Sequence, residues 1–237
     1  MRHDDHTRHA SGGAGGLWDG GIVQSLLAEV GQDAIDRFLS AVDVVMNSNT
    51  LLLKADAGQS LTVDNRQGLL DAYLRSDLFE RMMREADRQR EWYNLSDFLD
   101  DPEGSGNPAG EGAPVGLLRE GCRAGVASLR EEEFIDRLHW MLTEAPSPYR
   151  HHLPADEAVG IVGDFLREVL GPAGSGGRGA GQGWQFASVE PDFLRSSEYH
   201  TDKQPLRPVY FDGWVSDTAT LFHCGPIFYL LLTNGSP

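Results

Sequence analysis

Residues 218–235 read TATLFHCGPIFYLLLTNG. Thr218, Thr220 and Phe222 alternate with Ala219 and Leu221, the period-two signature of a strand. His223 to Pro226 forms a tight turn. Ile227 to Thr233 is too continuously apolar to present a solvent face, which marks a central strand. Asn234-Gly235 is a strong hairpin-turn signal. Pro237 stands two residues on, so no return strand is expected. The expected neighbours of Ile227–Thr233 are therefore Thr218–His223 on one side and Val209–Phe211 or Trp184–Val189 on the other.

Working outward, Trp184, Phe186 and Val189 begin a short strand, and Val209, Tyr210 and Phe211 sit in another. The C-terminal part thus reads as an antiparallel meander of three or four strands. So small a sheet is marginal alone and needs a helical face over it. Residues 171–183 hold seven glycines and no core residue, which reads as a flexible linker.

Upstream the period is helical. Ile22, Leu26, Leu27 and Val30 share a face, with Gly31 as C-cap. Asp33 precedes a stripe of Ile35, Phe38, Leu39, Val42, Val45 and Met46. Asp64 and Gln67 have capping-box spacing ahead of Leu69, Leu70, Tyr73 and Leu74. Asp77 and Glu80 repeat it ahead of Leu78, Phe79, Met82, Met83 and Ala86. After an acidic, Gly- and Pro-rich loop at 100–114, Leu118, Cys122, Gly125 and Leu129 share a face. Ser128 and Glu131 then cap a helix lined by Phe134, Leu138, Met141 and Leu142. Pro154 opens the last helix, Val159, Val162, Phe165, Leu166 and Val169 line it, and Gly171-Pro172 ends it.

The expected fold is α+β. A bundle of six or seven helices over residues 17–170 carries a small antiparallel β segment, residues 184–237, packed on it. Residues 1–16 form a disordered tail and 171–183 the linker.

The chain has 237 residues and a net charge of −16, from 36 acidic against 20 basic side chains. That balance opposes nucleic-acid binding, which needs cations to meet phosphate. It suits solubility or a basic protein partner. The longest apolar run, Ile227–Leu232, is too short for a bilayer. No signal-peptide pattern opens the chain, and Cys122 and Cys224 make no disulfide framework, so a cytoplasmic setting is expected.

Strong catalytic signatures are absent: there is no GxxxxGK[ST], HExxH, CxxC pair or GxSxG. No cofactor or metal is expected. His3, His6 and His9 are spaced in the tail, and His151-His152 read as loop residues. The richest polar cluster is C-terminal. His200, Asp212, Asp217 and His223 are the residue types of general acid–base work or divalent-ion binding, with Tyr199, Asp202 and Cys224 nearby. Against that, Asp212 and Asp217 flank a segment, Asp212 to Ser216, with the residues of a turn. Trp214 within it is a candidate contact residue, since Trp often anchors interfaces.

Asp217-Thr218-Ala219-Thr220-Leu221-Phe222, followed by Tyr229-Leu230-Leu231-Leu232-Thr233-Asn234-Gly235, resembles the C-terminal end of a family of uncharacterised actinobacterial proteins. The resemblance implies a lineage and no activity. The functional reading taken is a non-catalytic protein-binding protein, for instance an immunity-type protein neutralising a basic partner. The alternative is a metal-dependent or acid–base hydrolase using the C-terminal Asp and His residues.

Overall fold

The computed structural model describes residues 33–89, 123–171, 183–191, 193, 210–211 and 216–235, with the backbone alone at 87–89. In chain order the elements are α1 (Asp33–Met46), β1 (Ser48–Asp56), α2 (Arg66–Leu74), α3 (Asp77–Gln89), β2 (Val126–Leu129), α4 (Glu131–Thr143), α5 (Ala155–Leu170), β3 (Gln185–Val189), β4 (Thr218–Cys224) and β5 (Ile227–Gly235). The strands form one sheet in the order β1-β5-β4-β3-β2, and every pairing is antiparallel.

Successive side chains of a strand point to opposite faces, and here both faces are covered. Phe228, Leu230 and Leu232 of β5 join Leu51 and Leu53 of β1 under α2 and α3. Tyr229 and Leu231 join Leu52, Phe186 and Phe222 under α1, α4 and α5. The molecule is therefore three layers with the sheet in the middle.

This overturns the expected bundle of six or seven helices with an appended meander: among the described residues there are five helices and a five-stranded sheet. The helical stripes themselves are largely as read. Those of α1 to α4 are buried throughout, while in α5 Leu166 is half-buried and Val159 is 59% exposed. A stripe says that one face is buried, and not what covers it. Two strands lie inside the supposedly helical region. β1 carries Leu51-Leu52-Leu53 without alternation, because both of its faces are buried. β2 is four residues long and lies within the stretch read as the Leu118–Leu129 helical face. Ile22–Gly31, the 1–16 tail, the 100–114 loop and Val209 lie outside the described residues, as does the 171–183 linker apart from its two end residues.

The helix starts also differ. Thr62 and Asn65 bond reciprocally before α2, Thr62 N–H to Asn65 Oδ1 at 2.7 Å and Asn65 N–H to Thr62 Oγ1 at 3.3 Å. Ser76, rather than Asp77, accepts the Phe79 N–H before α3. Arg130, rather than Ser128, precedes α4, and Glu133 accepts its backbone N–H at 2.8 Å. Pro154 and Gly171 bound α5 as expected, Gly171 with φ of +72°. Between α1 and β1 the chain reverses at Asn47, φ +49°. Asn is one of the few side chains that tolerates this region.

β5 is central, as read, but its second neighbour is β1 rather than either expected segment. Asn234 and Gly235 make no turn; they continue the strand opposite Asn49 and Ser48. A Cβ at Gly235 would lie 2.4 Å from Ser216 Cβ and 3.3 Å from Met46 Cε. Ser216 is buried, and its Oγ donates to the Gly235 carbonyl at 3.0 Å, so it has nowhere to retreat. Gly235→Ala is expected to lose about 1–3 kcal/mol by overpacking. Urea unfolding of the variant measures this, and an unchanged midpoint would show that the Ser216 segment yields freely. No helix among the described residues is long and apolar enough to cross a membrane.

Candidate functional site

β4 separates the two described members of the C-terminal cluster. Asp217 precedes its first residue and His223 is next to its last. Six extended residues span roughly 20 Å, so these side chains cannot act on one atom. His200, Asp212 and Trp214 lie outside the described residues, as do Tyr199 and Asp202. Among the described residues no three His, Cys, Asp or Glu side chains are placed to hold a metal ion. His151 and His152 lie in the α4–α5 connection, where the His152 ring N–H donates to the Ala145 carbonyl at 2.8 Å. Cys224 is half-buried and not in a disulfide. By the alternation of β4 it points away from the face that holds His223.

His223 shares its face of β4 with Ala219 and Leu221, under α2 and α3. It is 1% exposed. Directly opposite on β3 is Gln185. Near enough to His223 for its charge to act on the ring is Arg66, the first residue of α2, itself 4% exposed. Arg66 Nη2 donates to Ser128 Oγ on β2 at 2.6 Å. The segment that carries Arg66 is anchored at several points. Ala57 and Leu61 donate backbone N–H groups to the Pro226 and Gly225 carbonyls of the β4–β5 turn, each at 2.9 Å. The Thr62–Asn65 turn then starts α2, and Gln67 Nε2 donates to the Ala124 carbonyl beside β2.

Burial first, and the Arg66 charge second, push the His223 pKa down from 6.5 to about 4. Burial also lowers that of Arg66. At neutral pH the ring is uncharged, a hydrogen-bonding group rather than an acid. His223 Nε2 and Gln185 Oε1 are buried with no hydrogen-bond partner among the described residues.

A second arginine sits on the other face. Arg137 of α4 donates to Thr220 Oγ1 at 3.3 Å, and burial lowers its pKa. Thr218, Thr233 and Thr50 stand in register across β4, β5 and β1 beside it. All three hydroxyls are buried.

Arg66 was not among the residues singled out from the sequence, although a signal was there. It precedes Leu69, Leu70 and Tyr73 by three, four and seven positions, which places it on the apolar stripe of α2. A charge in that position marks a buried polar site.

The outer surface of the α1, α4 and α5 layer is acidic. Asp33, Asp36, Glu131, Glu132, Asp136, Asp156, Glu157 and Glu168 are exposed. Exposed Arg37 and Arg167 both pair with Asp164, and Arg130 with Glu133, while Arg150 in the α4–α5 connection is exposed as well.

His223 makes the protein acid-sensitive. Unfolded, it takes up a proton as pH falls through 6.5; folded, it does so only near 4. Its stabilising effect is therefore complete above pH 6.5 and is lost as pH falls towards 4. Urea unfolding at both ends of that window should show a smaller loss for His223→Gln than for the native chain. Equal losses would mean that another group carries the effect.

No protein-family model, curated protein or solved structure matches the chain.

Proposed function

We propose that this is a non-catalytic protein-binding protein whose partner is basic. The observation that carries the reading is the acidic outer surface of the three-helix layer, in a chain of net charge −16. Its exposed carboxylates outnumber the arginines, and three of those arginines are already engaged by carboxylates. Such a surface steers a cationic partner and sets its orientation. It also repels nucleic acid. Neutralisation of a basic toxin domain by an immunity-type protein is one concrete form, and the actinobacterial lineage suggested by the C-terminal segment is part of the same proposal. A reducing cytoplasm suits a Cys224 that is not in a disulfide. The hydrolase reading has less support, because Asp217 and His223 lie at opposite ends of β4.

The test immobilises the full chain and challenges it with extract of its native cells at low and high salt. A basic protein should be retained at low salt and released as screening shortens the range of the charges. It should not be retained by the variant Glu131→Lys, Glu132→Lys, Asp136→Lys. Retention indifferent both to salt and to that variant would overturn the reading.

A further inference from the structure

We propose that Arg66, Ser128, His223 and Gln185 form a binding site for a small oxyanion, a carboxylate or phosphate group. The site lies under the opposite face of the sheet from the acidic helical layer and is independent of the protein-binding reading.

The argument starts from an imbalance of charge. Arg66 is 4% exposed, and its one side-chain hydrogen bond to a described residue goes to the neutral hydroxyl of Ser128. A guanidinium carries five N–H donors in a planar fork. Burying a cation without a counter-ion costs several kcal/mol. The chain has 36 carboxylate side chains, yet no described carboxylate pairs with Arg66. The partner this cation lacks among the described residues is an anion.

Two further polar atoms are in the same condition. Among the described residues His223 Nε2 and Gln185 Oε1 are buried and unpartnered, and the two residues oppose each other on adjacent strands. A water molecule would satisfy both without neutralising Arg66. An oxyanion answers all three. The His223 ring can carry its proton on Nε2, and the Gln185 amide can turn to offer Nε2, so each becomes a donor. The Arg66 fork matches two oxygens of a carboxylate or phosphate. Ser128 is exposed on the edge strand β2 and supplies a hydroxyl at the entrance. Its neighbour in register is Ala187, with Leu221 beyond. The polar groups therefore accommodate a charged head and little else of the ligand.

The test uses the full chain with histidine rings isotopically labelled, titrated with inorganic phosphate and with acetate at pH 7, against sodium chloride at matched ionic strength. Phosphate or acetate should move the His223 ring signals saturably and raise the melting temperature, where chloride does neither. Ser128→Ala should weaken binding roughly tenfold, the loss of one hydrogen bond to a charged group. Arg66→Met should abolish it. If Arg66→Met does not fold, Ser128→Ala, at an exposed position, decides alone. A His223 response to phosphate and acetate no different from that to chloride would overturn the site. So would binding unaltered in Ser128→Ala.

Discussion

A chain lacking Leu230 to Pro237 will not fold. β5 is bonded along its length to β1 on one side and to β4 on the other. Removing its second half strips the partners of Ser48 to Leu53 and of Thr218 to Leu221. It also removes Leu230, Leu231 and Leu232, all fully buried and contributing to both cores. Each such leucine is worth about 1.5–3 kcal/mol of burial alone. With the lost ladder and the cavities this is on the scale of the ~5–15 kcal/mol that holds a domain together. Circular dichroism should show no cooperative thermal transition. A truncated chain that melts sharply would place β5 at the periphery and refute the strand order.

Phe222→Ala is expected to cost about 3–5 kcal/mol, at the upper end for a single substitution. Phe222 stacks on Tyr229, with centroids 5.0 Å apart and planes within 5°, and lies 5.1 Å from Phe134 and 6.1 Å from Trp184. Phe134 in turn stacks on Phe186 at 4.4 Å. One ring thus joins β3, β4, β5 and α4, and its loss leaves a hole that rings fixed on separate elements cannot close. Urea unfolding gives the magnitude, and near-ultraviolet circular dichroism from Trp184 reports the loosened cluster. Phe222→Leu should cost less than half as much. A loss under about 1 kcal/mol for the alanine variant would mean that the site collapses freely.

Phe222 and His223 are adjacent in the chain and belong to different layers. Their alternation was readable, since period two is a local property of an extended backbone. The chemistry of His223 was not. Its depressed pKa depends on burial and on Arg66, which lies 157 positions away in sequence. Asp217 and His223 looked like members of one cluster because they are close in sequence. On a strand, that closeness in sequence still leaves them far apart in space.

Local periodicity determined which residues of α1 to α4 are buried, and Pro154 and Gly171 set the limits of α5. Helical spacing and terminal chemistry act within a turn or two, so they survive without tertiary context. It also determined that Thr218 to Thr233 is a hairpin with an apolar second strand. Tertiary structure alone decided that β1 lies against β5, that β2 is a strand, and that the helices cover a sheet on two sides. Strand pairing is a contact between segments far apart in the chain, and β1 meets β5 across some 180 residues. Leu51-Leu52-Leu53, buried on both faces, does not alternate and so carries no period to read. Gly235 shows the same division at one residue: Asn234-Gly235 has the local chemistry of a turn, and pairing with Asn49 and Ser48 of the distant β1 keeps it in the strand.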